Sequence, residues 1–194
     1  MKLKLAAAAV GLALSGAALA DSAGISQFGT DNFAYVDQTN SGAWAGVSQN
    51  GDRNHVGFSY EYNGVTYYYP GIQQVDVSSG YAYITQQGND NNANIFQYVG
   101  SGMVATIQQG GWYYDPQAQT YTDYGNANNN YAGISQYYSD NVTASIQQFG
   151  DFNGAYVSQG YGSGNNAMIV QIGNYHYAST YQTGNNNTAR IVQR

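Results

Sequence analysis

The chain has 194 residues with 8% charged residues and a formal net charge of −6, and it contains 21 Asn, 19 Gln, 21 Tyr and 25 Gly but 2 Pro and no Cys. These values exclude a disordered polyelectrolyte, a collagen and a disulfide-stapled scaffold, and the acidic balance argues against a nucleic-acid partner. Few charges combined with many carboxamides and aromatic rings are typical of β-structure and of ordered aggregation.

The first 20 residues have the features of a secretory signal peptide. Two lysines precede an apolar run over residues 5–17, and Ala18-Leu19-Ala20 forms a small-residue cleavage site. The apolar run is too short to span a bilayer. We predict a signal peptide over residues 1–20 and a repeat domain over residues 21–194 that works outside the inner membrane.

A two-residue alternation of side-chain types recurs along residues 21–194. Each repeat has a first strand with Ala, Ile or Val, and Gln at alternate positions, then Gly-x-x-Asn, then a second strand with the same alternation. The first-strand glutamine stands at residues 27, 49, 86, 109, 148, 171 and 193. With two insertions set aside, the period is 22 or 23 residues, which gives about six and a half repeats.

This repeat predicts an all-β fold, a two-sheet β-solenoid. Gly permits the positive φ of a tight turn, and Asn tolerates the left-handed backbone. Because successive side chains of a strand face opposite sides, Ala, Ile or Val, and Gln share the inner face. Stacked repeats bury that face by placing Ile on Ile and Gln on Gln at about 4.8 Å. Each buried amide then has a donor and an acceptor partner, which avoids a cost of roughly 1–3 kcal/mol.

Two sets of inward residues are expected to form columns through the stack. The polar core ladder is predicted to consist of Gln27, Asn32, Gln38, Gln49, Asn54, Gln86, Asn91, Gln97, Gln109, Asn130, Gln136, Gln148, Asn153, Gln159, Gln171, Gln182 and Gln193. The apolar column is predicted to consist of Ile25, Val36, Val47, Ile84, Ile95, Ile107, Ile134, Ile146, Val157, Ile169 and Ile191. Their predicted role is structural.

Two insertions, at about residues 61–80 and 112–129, interrupt the regular spacing and hold both prolines. Proline cannot donate to a sheet ladder, so both segments are predicted to leave the sheets. The first is expected between repeats, after a second strand with Phe58 and Tyr60 at inward positions. The many tyrosines suit adhesive loops, but surface excursions without a function explain them as well.

The spacing Gln-x-Gly-x-x-Asn-x-Ala-x-x-x-Gln resembles the repeat of the curlin family. It occurs from Gln27 to Gln38, with close copies from Gln86 to Gln97 and from Gln148 to Gln159. The family carries a Ser six residues before the first Gln, and this chain does not. Those positions hold Asp21, Ala43, Gly80, Met103, Val142, Asn165 and Asn187. The inner face is therefore expected to be less polar at that edge.

The resemblance implies a structural subunit of extracellular amyloid fibres, or curli, which support the biofilm matrix and adhesion of bacteria. It also implies secretion through the periplasm to the extracellular cell surface. It implies self-assembly as a homopolymer, a second curlin-type subunit and outer-membrane export machinery as partners, and contacts with matrix polymers or host surfaces. Curlin subunits also carry a targeting stretch between signal peptide and repeats. Here the repeats begin almost at Asp21, so the segment that an export channel would recognise is not evident.

Open strand edges are expected at both ends, because the terminal strands show neither a capping helix nor a proline. Edges built on one sequence frame can pair head to tail, and such a contact gives a filament when it does not close. Arg190 and Arg194 make the last half-repeat basic, which resembles the minor, nucleating curlin subunit. We hypothesise that this edge docks an acidic partner edge or a membrane surface; a solvated tail is the simpler explanation.

No catalytic, cofactor-binding or metal-binding residue is expected. Glu61 is the only Glu, His55 and His176 occupy different positions of the repeat, and no inward position carries a carboxylate. A calcium-binding β-roll would require Asp at a fixed place in a nine-residue repeat, but here the period is 22 or 23 residues and Asp is irregular. An ice-binding solenoid would require outward Thr rows, but the outward positions here vary among Ser, Tyr, Phe, Gln and Val. The alternative that stays open is a non-polymerising β-solenoid adhesin or binding protein.

Overall fold

In a computed structural model, which describes residues 10–15, 21–39, 42–115 and 119–194, the chain is all β, as predicted. Within these ranges no helix is long and apolar enough to cross a membrane. The strands of the described residues are β1 (Val10–Ser15), β2 (Ser22–Phe28), β3 (Phe33–Thr39), β4 (Gly42–Asn50), β5 (His55–Tyr62), β6 (Val65–Pro70), β7 (Ile72–Gln87), β8 (Asn92–Ser101), β9 (Val104–Gln109), β10 (Trp112–Asp115), β11 (Thr120–Asp123), β12 (Tyr131–Asp140), β13 (Thr143–Phe149), β14 (Gly154–Ser163), β15 (Asn166–Ile172), β16 (Tyr177–Thr183) and β17 (Thr188–Gln193).

Most of these strands stack into two parallel layers that form the predicted β-solenoid. Sheet I contains, in order, β2, β4, the second half of β7, β9, β13, β15 and β17. Sheet II contains β1, β3, the start of β5 with the first half of β7, and then β8, β12, β14 and β16. Each repeat therefore adds one strand to each sheet, and the long β7 passes from sheet II to sheet I.

The strands pair in register, so equal positions of successive repeats lie side by side. In sheet I, Ile146 pairs with Ile107 on one side and with Ile169 on the other. The Ala and Ile or Val side chains of both sheets fill the space between them as one continuous core. Burial of one Ile side chain contributes roughly 1.5–3 kcal/mol. Ile25 and Ile191, in the outermost strands of sheet I, are only partly buried.

The Gly-x-x-Asn turns join sheet I to sheet II within each layer. Gly51 has a φ of +127°, which L side chains rarely adopt, and a Cβ there would collide with the carbonyl oxygen of Gly88 in the next layer. The Nδ2 atom of Asn54 donates to that same carbonyl oxygen at 2.7 Å. Glycine is therefore required at this turn both by the backbone conformation and by the close stacking of layers.

The first insertion leaves sheet II inside a strand, which differs from the predicted position between repeats. β5 follows sheet II only at its first two residues and then forms an antiparallel hairpin with β6. Phe58, predicted to face inward, is 49% exposed on this hairpin. The chain re-enters sheet II at Ile72, which pairs with Val36 and Ile95 and is fully buried. Ile72 thus takes the core position, because it continues the apolar column that an aromatic ring would interrupt.

The second insertion forms a small antiparallel hairpin, β10 and β11, on the outer face of sheet I. Tyr113 of this hairpin is buried, and its ring lies 5.5 Å from that of Phe149, centroid to centroid. Phe149 also contacts Tyr124 at 5.0 Å and shares a separate apolar cluster with Val170. Part of this insertion therefore has a packing role on the solenoid surface.

A further small core lies where the chain returns from sheet II to sheet I. Ala43, Met103 and Val142, at three of the positions that hold Ser in the curlin pattern, pack there with Val77. All four side chains are buried. The inner face is therefore apolar in these layers, whereas Asn165 places a buried polar side chain in a later layer.

Candidate assembly site

Seven glutamines of sheet I form one hydrogen-bonded ladder. The Nε2 atom of each of the first six donates to the Oε1 atom of the glutamine in the next layer, with N···O distances of 2.6–2.9 Å. The chain of bonds runs through Gln27, Gln49, Gln86, Gln109, Gln148, Gln171 and Gln193. The structure brings together all seven first-strand glutamines that the repeat spacing marked.

Six glutamines of sheet II form a second ladder with the same pattern and N···O distances of 2.7–2.9 Å. It consists of Gln38, Gln74, Gln97, Gln136, Gln159 and Gln182. Sequence reasoning missed Gln74, because the second strand of that repeat was continued through Tyr60. The spacing held the signal: Gln74 precedes Gln86 by 12 residues, as Gln97 precedes Gln109.

Apart from Gln27, each ladder amide also ties the two sheets together. Gln148 of sheet I donates to the carbonyl oxygen of Tyr131 at 3.0 Å, and Gln159 of sheet II donates to that of Thr143 at 3.0 Å. In the interior layers both amide hydrogens and the amide oxygen therefore have partners. Buried amides that are fully paired avoid the cost of desolvation, and aligned amide dipoles strengthen one another in a low dielectric.

Asparagines form a third ladder at the turns. The Oδ1 atom of Asn54 accepts from the backbone nitrogen of Asn91 at 3.2 Å and from its Nδ2 at 3.0 Å. At the last turn His176 stands in the asparagine position, and its backbone nitrogen donates to Oδ1 of Asn153 at 3.0 Å. The ladder runs through Asn32, Asn54, Asn91, Asn130 and Asn153.

Both glutamine ladders are directional, and this leaves an unpaired acceptor at one end. In every step Nε2 donates towards the C-terminal layers, so the first glutamine of each ladder receives no donor. The Oε1 atoms of Gln27 and Gln38 are buried and have no hydrogen-bond partner. Among the described residues, only one other buried side-chain atom, Oγ1 of Thr180, lacks a partner. An unpaired buried acceptor costs about 1–3 kcal/mol, so the first layer is incomplete in its hydrogen bonding.

The outermost strands leave open backbone edges. Of the strands that the structure describes, β2 pairs only with β4, β17 only with β15, and β16 only with β14. The outer edge of β3 is covered by β1, which lies inside the predicted signal peptide. The open edges of β2 and β17 belong to the same sheet at opposite ends of the stack, and an open edge is a template for another strand.

Side chains of opposite charge lie at the two ends of the stack. Arg190 lies on β17, Arg194 follows it directly, and both are exposed. Asp37 lies on β3, and Asp31 lies in the first turn. One end of the stack is therefore basic and the other carries carboxylates.

Two carboxylates of the first turns have lowered pKa values. The backbone N–H of Thr30 donates to Asp52 at 2.8 Å and lowers the pKa of that carboxyl. The side chain of Arg53 bonds to Asp90 at 2.7 Å and lowers the pKa of Asp90. A carboxyl whose pKa is lowered by folding stabilises the fold when it is ionised. Both contributions are therefore present above the ordinary Asp range and are lost as the pH falls through the lowered values.

The remaining ionisable side chains are dispersed. Among the described residues, no three His, Asp or Glu side chains come together as metal ligands would. His176 is held at its turn, where Nε2 lies 3.2 Å from the carbonyl oxygen of Ile172. His55 opens β5, and Glu61 lies on the exposed hairpin that follows.

We predict that Thr180→Val stabilises the monomer by about 1–3 kcal/mol, because it removes a buried hydroxyl without a hydrogen-bond partner. Thr180 pairs with Val157 in the Ile/Val position of sheet II, so valine suits its surroundings. Thr183→Val, at an exposed position of the same strand, is the control and should change stability by less than about 0.5 kcal/mol. Urea unfolding of freshly purified monomer measures the stability of both variants. Equal effects would show that the hydroxyl of Thr180 does not destabilise the fold.

Comparison with known proteins identifies one family. The model of the curlin associated repeat matches residues 139–173 and again residues 165–194. The two matches cover β13 to β17, where the layers stack without insertions. No curated protein gives a significant match to the chain.

Proposed function

We propose that the chain, whose residues 139–194 match the curlin associated repeat, is a secreted subunit of curli-like amyloid fibres on a bacterial cell surface. In this role it passes the periplasm and an outer-membrane export channel and contributes to biofilm matrix and adhesion. One observation carries the proposal: the glutamine ladder of sheet I begins in a buried acceptor without a donor and lies in a sheet whose outermost strands both have open edges.

A second copy of the chain supplies what the first layer lacks. When β17 of one copy pairs with β2 of the next in the internal register, Gln193 lies on Gln27 and Ile191 lies on Ile25. This is the arrangement found between neighbouring strands inside the molecule, as where Gln171 pairs with Gln193. The joint would therefore continue the amide ladder and cover the partly buried Ile25 and Ile191. It would also pair the open backbone edges of β2 and β17. Repeated head to tail, the contact yields a cross-β fibre.

Removal of the leader would also expose an edge in sheet II. β1 now covers the edge of β3, yet Oε1 of Gln38 stays without a donor. In the register of β1 on β3, Leu14 stands at the position of Gln38, and leucine has no amide to donate. Cleavage after Ala20 would remove β1 and open the edge of β3 to another strand.

The basic end suggests a partner of opposite charge. In the proposed register Arg190 lies beside Gly24, where a Cβ would meet no atom within 4 Å, so its side chain has room at the joint. Carboxylates lie near the acceptor end at Asp31 and Asp37. The same basic edge fits a second curlin-type subunit or an anionic membrane, which is the arrangement expected of a nucleating subunit.

Growth and diffraction of the purified secreted chain, residues 21–194, test the proposal. We expect seeded, thioflavin-positive fibres whose diffraction shows spacings of about 4.8 Å along the fibre and about 10 Å across it. A chain that stays monomeric with and without seeds would contradict the fibre role and favour a non-polymerising surface adhesin, which the exposed rings of Phe58 and Tyr69 on the β5–β6 hairpin would suit.

A further inference from the structure

The β5–β6 hairpin and the outer face of sheet II enclose a groove of about 430 Å³. Five aromatic side chains form its walls: Phe58, Tyr69, Phe96, Tyr131 and Tyr156. Three polar side chains also line it: Gln73, Asn94 and Ser135. We call this feature the aromatic groove. It lies at the middle layers, so neither β2 nor β17 takes part in it.

Small residues of β12 give the groove its depth. Gly133 pairs with Asn94 on one side and with Tyr156 on the other, so a residue without a side chain stands between two larger ones. A Cβ at Gly133 would lie 2.9 Å from the Tyr156 ring and 2.9 Å from the Asn94 amide oxygen. The ring of Tyr156 therefore leans over the glycine and forms one wall, and the inserted hairpin forms the opposite wall.

The walls present ordered ring faces to solvent. The five aromatic side chains are 36–49% exposed. Phe58 and Tyr69 stack on each other with their centroids 4.5 Å apart and their planes within 8°. Because each ring supports the other, the pair offers a rigid apolar surface at a low cost in side-chain entropy.

The lining is uncharged, since none of the described residues around the groove is Asp, Glu, Lys or Arg. A charged ligand would lose its hydration there without gaining an opposite charge. A purely apolar ligand would cover the amide of Asn94 and leave it unpaired, whereas the amide of Gln73 keeps its bond to Asp37 at 3.2 Å. The lining instead matches a neutral ring with hydroxyl groups, whose C–H face lies on an aromatic ring while its hydroxyls bond to amides.

We propose that the aromatic groove binds a neutral oligosaccharide segment, such as a stretch of an uncharged glucan. The site faces outwards from sheet II, so it stays open whether the chain is a monomer or part of a fibre, and it does not rest on the proposed fibre function. In a fibre it would recur once per subunit, and such repetition raises the avidity for a long polysaccharide.

Binding of cellohexaose to the purified protein before fibres form tests this inference. We expect saturable binding by isothermal calorimetry, with affinity lowered about tenfold or more by Tyr156→Ala and by Phe58→Ala, because each removes one wall. Tyr175→Ala is the matched control, since Tyr175 is 76% exposed and stacks on Phe152 outside the groove. Its affinity should equal that of the unchanged protein.

Three results would overturn the inference. The first is no binding of cellohexaose or maltohexaose to the unchanged protein. The second is an equal loss of affinity in Tyr175→Ala, which would indicate unspecific adsorption to exposed rings. The third is tighter binding of an anionic hexasaccharide of alginate, which would contradict the uncharged lining as the basis of recognition. Circular dichroism of each variant shows that the fold is kept.

Discussion

Gln136→Leu is expected to lower the free energy of unfolding by about 2–6 kcal/mol, although leucine fills nearly the same volume. Gln136 is fully buried in the middle of the sheet II ladder, where it accepts from Gln97 at 2.8 Å and donates to Gln159 at 2.9 Å. Leucine would leave one donor of Gln97 and the acceptor of Gln159 buried and unpaired, and the carbonyl oxygen of Val104 would lose its bond to Gln136 at 3.0 Å. The loss therefore comes from these hydrogen-bond partners and not from a cavity.

The matched control is Gln147→Leu. Gln147 lies on the outer face of β13, is only half-buried, and makes one longer bond, at 3.3 Å, to Gln108. Its replacement should change stability by less than about 0.5 kcal/mol. Urea unfolding followed by circular dichroism, at protein concentrations and times before fibres form, compares the two variants. Equal effects would contradict the view that the inner ladders determine stability.

The regular layers could be predicted from the sequence because their structure is local and repeated. Alternation in each strand defines the inner face, and the repeat period then places like residues on one another. Hence Ile84, Ile107 and Ile146 were predicted in one column, and the structure stacks them there. The predicted glutamines Gln86, Gln109 and Gln148 form consecutive ladder steps for the same reason.

The first insertion could not be placed by alternation alone, because β5 continues to alternate after it leaves sheet II. Phe58 and Ile72 compete for one core position, and local pattern does not separate them. The choice depends on contacts between layers: Ile72 continues the column between Val36 and Ile95, and Gln74 donates to Gln97 at 2.7 Å. Residues distant in sequence therefore decide where the hairpin starts.

The repeat pattern also could not predict the surfaces that the insertions form. Tyr113 packs on Phe149, and Tyr69 lines a groove together with Tyr156, only because hairpins fold back on distant strands. In the sequence nothing distinguishes these aromatic residues from the many others. The repeat predicts the scaffold, whereas the outer-face features depend on how non-repeated segments dock on it.

The same amide hydrogen bonds that stabilise the interior layers of the monomer would join copies at its end layers. Inside the stack each ladder glutamine has a donor and an acceptor partner, whereas Gln27 has only its bond to Gln49, at 2.6 Å. A joint between copies would form the amide hydrogen bonds and apolar contacts that each internal layer already makes, and would gain the free energy of these interactions. Growth should therefore respond to substitutions at inward positions of the end strands much more than at outward ones.

Ile191→Asp is expected to slow fibre elongation about 100-fold or more while leaving the monomer folded, because a carboxylate buried at the joint costs several kcal/mol. Ile191 pairs with Ile169 and is only partly buried in the monomer, so the charge remains hydrated there. In the proposed joint it would be enclosed between Ile169 and Ile25 of the next copy. Thioflavin kinetics with unchanged seeds measure the rate.

Val192→Asp is the control for charge, since Val192 is the next residue of β17 but faces outwards and is 39% exposed. It should elongate within about threefold of the unchanged protein, as expected for a surface substitution. Ile191→Asp keeps its acceptor edge at β2, so it should also add once to the β17 end of an unchanged fibre and then block that end at substoichiometric amounts. Equal elongation by the two variants, or inhibition only at equimolar amounts, would contradict growth through β17, because a head-to-tail joint at this edge buries residue 191 and leaves residue 192 in water.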